Sequence, residues 1–95
     1  MNKKIYKYKL EITPKQEVLL PKDAKILSIQ VINNELFIYC VVNPDAEKEL
    51  RVFKIVNTGG DIYFDMGIEY NFIGTFRLDD DTPLGYFIGH LFEQF

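Results

Sequence analysis

Apolar residues recur at every second position through most of this chain, and this alternation constrains the fold more than any other feature. In the first segment, KKIYKYKLEI, Tyr6, Tyr8 and Leu10 alternate with Lys7 and Lys9. Alternation of this kind is typical of a half-buried β-strand, because successive side chains of a strand point to opposite faces. No segment has helical apolar spacing over three turns. The sequence therefore predicts an all-β protein with almost no helix.

Further segments with strand character follow along the chain. They are KILSIQV, ELFIYCVVN, ELRVFKIVN, FIGTFRL and GYFIGHLF. Asn33 and Asn34 stand between the first two and predict a tight hairpin, because asparagine tolerates positive φ angles. ELFIYCVVN is apolar on both faces, which predicts a central strand covered on both sides or a strand whose second face meets another subunit.

The remaining segments are polar or rich in glycine. TPKQEV and DAEKEL are the best helical candidates, each of about one turn. TGGDIYFDMGIEYN predicts a long loop or a short irregular excursion. A chain of 95 residues has the length of one domain. We predict a single domain over residues 1–95, a small β-sandwich or partly open barrel of roughly six or seven mostly antiparallel strands.

Charge and cysteine content limit the partners and the location. The net charge is −3, and the seven lysines of residues 1–31 contrast with the eleven acidic residues of residues 32–95. An acidic chain lacks the broad basic surface that duplex binding needs, which speaks against nucleic acid as the main partner. No apolar run is long enough for a signal peptide or a membrane span. Cys40 is the single cysteine, so we expect a buried thiol in a reducing, cytoplasmic setting and no membrane partner.

The N-terminal lysines and tyrosines form one candidate binding site. On a strand, Lys7 and Lys9 share one face while Tyr6 and Tyr8 share the other. At a subunit boundary or barrel rim, both faces can line one pocket, where lysines pair with phosphate and tyrosines stack on a base. The alternative is a solvated lysine face over a tyrosine-containing core, which also protects a sheet edge from aggregation.

Arginine and histidine residues supply further candidates. Arg51 and Arg77 lie in apolar strands, where a guanidinium suits recognition of phosphate or carboxylate, or else forms an ion pair with one of the many acidic residues. Tyr86 is a third candidate for base stacking. His90 follows on the same strand face as Tyr86. It either donates a hydrogen bond to a ligand or packs between aromatic residues with a structural hydrogen bond.

Catalytic and metal-binding patterns are missing from the sequence. One histidine and one cysteine without CxxC or HxxxH spacing do not make a zinc site. DDDTP, residues 79–83, has the composition of a solvated turn and lacks the spacing of a calcium loop. Gly59 and Gly60 can present N–H groups to an anion or simply form a loop, since the spacing of a phosphate-binding loop is absent. We therefore expect no enzyme, no cofactor and no metal.

Several segments resemble a family of short proteins encoded mostly by bacteriophages and prophages, whose function is unknown. The resemblance covers most of the chain and rests on IYKYKLEIT, LPKDAKILSIQV, YNFIGTF and GHLFE. The individual residues that match the family pattern are Tyr6, Lys7, Tyr8, Pro21, Ala24, Gly74, Thr75, His90 and Glu93. Residues 61–71 and DDDTP depart from the pattern, so the resemblance supports no site built from residues 79–81. It implies a phage-type accessory protein that acts inside the bacterium, and nothing about catalysis.

Three functions fit these observations. The first is a non-enzymatic protein that neutralises a host function, such as anti-phage defence, by sequestering a small phosphorylated or nucleotide signal in a pocket of a homo-oligomer. In that function Lys7, Lys9 and Arg77 pair with phosphate, Tyr6, Tyr8 or Tyr86 stacks on a base, and His90 donates a hydrogen bond. The second is an acidic inhibitor of a host nuclease or defence protein, which uses Asp61, Asp65, Glu69 and residues 79–81. The third is a small structural or assembly component.

Overall fold

The predicted all-β class is confirmed by the structure, a computed structural model that describes residues 2–62 and 69–95. The described residues form seven strands and no helix. The strands are β1 (Lys4–Leu10), β2 (Lys15–Pro21), β3 (Lys25–Ile32), β4 (Glu35–Val42), β5 (Lys48–Asn57), β6 (Tyr70–Asp79) and β7 (Tyr86–Gln94). Within this part of the chain no helix occurs that could cross a membrane.

The strands form two antiparallel sheets that share one core. The strand order is β1-β4-β3 in the three-stranded sheet and β2-β5-β7-β6 in the four-stranded sheet. Buried side chains from both sheets form a single cluster, so the architecture is a small β-sandwich. The cluster contains Leu10, Leu36, Ile38, Cys40 and Val42 from the first sheet, and Leu20, Phe53, Ile55, Phe76, Leu78 and Leu91 from the second.

The predicted hairpin between β3 and β4 is confirmed. Asn33 and Asn34 have φ angles of 50° and 61°, and both values are positive, as a two-residue hairpin turn of type I′ requires. The Asn34 side chain also reaches the other sheet, where its amide donates to the Asp79 carbonyl at 3.0 Å and its oxygen accepts from the Asp79 N–H at 2.8 Å. The turn therefore connects the two sheets as well as two strands.

Glycine permits close packing at two positions of the core. A Cβ atom on Gly74 would lie 2.9 Å from the Ile29 side chain of the opposite sheet. Gly89 is the cross-strand partner of Phe76, and a Cβ atom there would collide with the phenylalanine ring. The ring thus occupies the space that a glycine leaves on the neighbouring strand.

Both helical candidates in the sequence are wrong. TPKQEV lies mostly in β2, because pairing with β5 along seven residues provides its backbone hydrogen bonds. DAEKEL forms a turn, in which the Ala46 N–H donates to the Asn43 carbonyl at 3.1 Å, and then enters β5. The predicted loop after β5 is described only as far as Ile62 and from Glu69 onward, where Tyr70 already begins β6. The middle of that loop lies outside the described residues.

The aspartate-rich segment is a turn between β6 and β7. The Asp80 carboxylate accepts hydrogen bonds from the Thr82 N–H at 3.0 Å and the Thr82 hydroxyl at 2.6 Å. The Asp80 N–H donates to the Gly85 carbonyl at 3.1 Å, and Gly85 has a φ angle of 79°. These contacts are those of a polar turn whose carboxylate stabilises its own backbone.

Candidate functional site

Four of the predicted site residues lie on β1, which divides them between its two faces. Lys7 and Lys9 are exposed on the outer face of the three-stranded sheet, where the Lys7 Nζ lies 4.8 Å from the centroid of the Phe37 ring. Tyr6 and Tyr8 point to the inner side, and Tyr8 packs against the core, where burial raises the pKa of its phenol. Within the described part of one chain, these lysines and tyrosines therefore do not share a pocket.

The other three predicted residues share the outer face of the four-stranded sheet. Arg77, Tyr86 and His90 alternate with inward-pointing neighbours on β6 and β7. The Arg77 guanidinium lies 4.5 Å from the centroid of the Tyr86 ring and 3.8 Å from an Asp79 carboxylate oxygen. These residues and the two β1 lysines lie on opposite outer faces of the sandwich.

His90 is held between two threonine hydroxyls. Its Nε2 lies 2.9 Å from the Thr58 Oγ1, and its Nδ1 lies 2.8 Å from the Thr75 Oγ1. A hydroxyl can donate or accept, so both contacts persist whichever nitrogen carries the proton. Because Thr58 follows β5 and Thr75 lies on β6, the imidazole on β7 fixes the turn after β5 to the sheet.

A cavity of 370 Å³ lies on this outer face, between the sheet and the segment after β5. Its size is in the usual range for small-ligand sites. Lys15, Lys54, Tyr70 and Phe92 contribute to its lining, and Asp61 lies on the segment that covers it. The Lys54 Nζ donates to the Tyr70 hydroxyl at 2.7 Å. The Tyr70 and Phe92 rings are nearly perpendicular, with 6.5 Å between their centroids.

The two lysines of this cavity are direct cross-strand partners. Lys15 on β2 lies opposite Lys54 on β5, and like charges in this arrangement destabilise a sheet. No ion pair links either ammonium to a carboxylate among the residues that the structure describes. The pairing was not apparent from the sequence, because β2 was interpreted as a helical candidate.

A second cavity of 310 Å³ adjoins the first and connects it to His90. Gly59, Gly60 and Ile62 form its cover, while His90 and Phe92 lie on the sheet beneath. Gly59 has a φ angle of 84°, and the Gly60 N–H donates to the Asn57 carbonyl at 2.9 Å. The glycine pair is therefore part of a tight turn that places Ile62 over the sheet.

Arg51 forms the ion pair that was one of its two predicted alternatives. Its Nε and Nη2 donate to the two carboxylate oxygens of Glu93 at 2.5 and 2.8 Å, and its Nη1 donates to the Ala24 carbonyl. The side chains of Arg51 and Glu93 are 18% and 6% exposed. The hydrogen bond to Glu93 raises the pKa of the guanidinium, so Arg51 stays charged and ties β5 to β7 and to the turn before β3.

The acidic residues do not form a metal site in the part of the chain that is described. Within residues 2–62 and 69–95, no group of three histidine, cysteine or acidic side chains could hold an ion. Asp79 contacts Arg77, and Asp80 stabilises its own turn. Asp65, which belongs to the predicted acidic surface, lies outside the described residues. The expectation of a non-enzymatic protein stays a prediction.

The fold defines the class, a small all-β sandwich with two adjoining cavities on one sheet face. A family model described as a domain of unknown function, DUF7352, matches residues 1–95. The chain therefore belongs to the DUF7352 family. No curated protein and no solved structure matches it. The resemblance to a family of unknown function is thus confirmed, whereas the phage origin stays a prediction.

Proposed function

We propose that this protein binds and sequesters a small phosphorylated ligand, of the nucleotide class, in the cavities on the outer face of the four-stranded sheet. The observation that carries the proposal is the cross-strand pair of Lys15 and Lys54 at the 370 Å³ cavity. A protein gains no stability by placing two ammonium groups opposite each other, whereas a phosphate between them removes their repulsion.

The lining of the cavities suits the rest of a nucleotide. Tyr70 and Phe92 offer aromatic surface, and stacking of a base on an aromatic side chain contributes about 1–3 kcal/mol. His90, held by its two threonines, keeps the covering turn in place. Arg77 and Tyr86 extend the same face with a further cation and a further ring.

The biological context of the proposal comes from the resemblance to phage-encoded proteins. A phage accessory protein in the bacterial cytoplasm that removes a nucleotide signal would neutralise a host defence without catalysis. The compact fold is consistent with a binding protein of this kind. Sequestration requires a high intracellular concentration and tight binding, and both can be measured.

Isothermal titration calorimetry with AMP, ADP, GMP, cyclic AMP and inorganic phosphate tests the binding site. We expect at least one nucleotide to bind, and Lys54→Met to weaken it by about ten- to a hundredfold, because a charge-assisted hydrogen bond is lost. Lys15→Met should weaken binding as well. It should also leave the unliganded protein as stable as the wild type or more stable by up to about 1 kcal/mol, since a like-charge pair is removed.

Lys7→Met and Lys9→Met are the matched controls on the opposite sheet. If they abolish binding while Lys54→Met does not, the ligand lies at the lysines of β1 and the proposed cavity is wrong. Native mass spectrometry of protein purified from its bacterial host reports any retained small molecule. The proposal would be contradicted if the purified protein retains no phosphate compound and none of the five probes gives a calorimetric binding signal.

A further inference from the structure

A third cleft lies at one open end of the sandwich, next to the proposed ligand site, with 5.4 Å between the centroids of its Phe72 ring and the Phe92 ring of that site. Its volume is 870 Å³, and both sheets line it. The ion pair of Arg51 and Glu93 lies among its lining residues. The lining also includes Leu27 and Ile73, which lie at the irregularities of the edge strands β3 and β6. Such bulges interrupt regular strand pairing, so this cleft is suited to side chains rather than to an added strand.

Large apolar side chains border this cleft and remain exposed. Leu27, Leu50, Phe72 and Phe95 are 47%, 59%, 55% and 66% exposed. Leu19, the cross-strand partner of Leu50, is also 55% exposed. The two phenylalanines alone leave on the order of 200 Å² in water. With the three leucines, the apolar surface approaches the several hundred Å² that mark interaction sites on soluble proteins.

We infer that this cleft is the interface of a homodimer, in which a second copy related by twofold symmetry supplies the side chains that fill it. In a twofold interface the same surface faces itself, so a residue and its contact each occur twice. The cleft lining carries both charge signs, with Lys25 at the start of β3 and Glu49 on β5, where a Glu49 carboxylate oxygen accepts from the Asp23 N–H at 3.3 Å. Lys25 of each copy can therefore pair with Glu49 of the other.

The outer face of the three-stranded sheet is also partly apolar, but its positive charge argues against it as the interface between copies. One of the two alternatives predicted for β4 was that its second face meets another subunit, and the side chains of its outer face are half-buried in the single chain. Lys7 and Lys9 flank it on β1, with Glu35 as a partner only for Lys9 at 3.6 Å. A twofold contact there would bring the lysines of two copies together, which is unfavourable.

Sedimentation velocity over a wide dilution series tests the inference with two matched variants. Leu50→Glu, at the cleft, should raise the dimer dissociation constant by roughly thirtyfold, the effect of losing an interface hot spot. Ile5→Glu places the same charge on the outer face of the three-stranded sheet, where Ile5 is 63% exposed, and should change the constant by no more than about twofold. Circular dichroism checks that both variants fold.

Exchange of the two charges tests the orientation of the copies. Lys25→Glu and Glu49→Lys should each weaken the dimer, and the double variant should restore it, because the pair is re-formed with reversed signs. A wild-type protein that stays monomeric at every concentration would overturn the inference. So would a dimer that Ile5→Glu disrupts and Leu50→Glu does not, or single charge variants that the double variant fails to rescue.

Discussion

Removal of the Glu93 carboxylate should destabilise the protein more than any change to an exposed charge. In Glu93→Ala, the Arg51 guanidinium stays largely buried, at 18% exposure, and keeps only the Ala24 carbonyl as an acceptor among the contacts described. Breaking a buried ion pair from one side typically costs about 3–5 kcal/mol, because a charge is left without compensation. A domain of 95 residues has a total stability of about 5–14 kcal/mol. The variant should therefore lose a large part of its stability.

Urea unfolding followed by circular dichroism measures this loss, and a double-mutant cycle isolates its cause. Glu93→Ala should also lower the unfolding midpoint temperature by about 12 °C or more. The cycle consists of Arg51→Met, Glu93→Leu and their double variant. The double variant should recover most of the stability, since an apolar pair of similar volume avoids the buried charge. The interaction energy of the cycle should then be several kcal/mol in magnitude.

A second arginine–carboxylate pair in the same sheet provides the control. Arg77 and Asp79 lie 3.8 Å apart and are 63% and 79% exposed, so Asp79→Ala should cost less than about 1 kcal/mol. Two results would refute the reasoning. One is a Glu93→Ala variant no less stable than Asp79→Ala. The other is a double variant whose loss of unfolding free energy equals the sum of the losses in the two single variants.

Two further predictions concern the hairpin turn and the buried thiol. Asn33→Gly and Asn34→Gly both relieve a positive φ angle, but only the Asn34 side chain hydrogen-bonds to Asp79. Asn34→Gly should therefore be less stable than Asn33→Gly by about 1–2 kcal/mol in urea unfolding. Equal stabilities of the two variants would contradict this prediction. Burial raises the pKa of the Cys40 thiol, so the folded state keeps a proton that the unfolded chain releases above about pH 8.5. The contribution of the protonated thiol to the unfolding free energy is complete below that pH and falls as the pH rises. Cys40→Ala should therefore flatten the decline of the unfolding free energy up to about pH 10. An unchanged slope would exclude Cys40 as the source of the decline.

Local rules were sufficient for most of the fold. The hairpin at Asn33 and Asn34 was predictable because two consecutive residues tolerant of positive φ separate two alternating segments. β2 was missed because its sequence alternates poorly. Polar Gln16 occupies an inward position, and Leu19 is exposed next to buried Leu20. Only pairing with β5 identifies it as a strand, and that contact is far away in sequence.

The candidate site was less predictable for the same reason. His90, Arg77 and Tyr86 could be placed on one face from strand alternation, and the structure keeps them there. The pair of Lys15 and Lys54 required the register of two strands that are distant in sequence. No rule applied to a single segment reveals such a pair.

The two kinds of charge in this protein differ in how far the fold compensates them. Arg51 and Glu93 satisfy each other inside the sandwich, so their presence is fully explained by the fold. Lys15 and Lys54 face each other beside a cavity, where replacing Lys15 by an uncharged residue should remove a like-charge repulsion from the sheet. Local costs of this kind are expected at functional sites, where a ligand can compensate them. In the proposed function, the phosphate of the ligand supplies this compensation at the lysine pair.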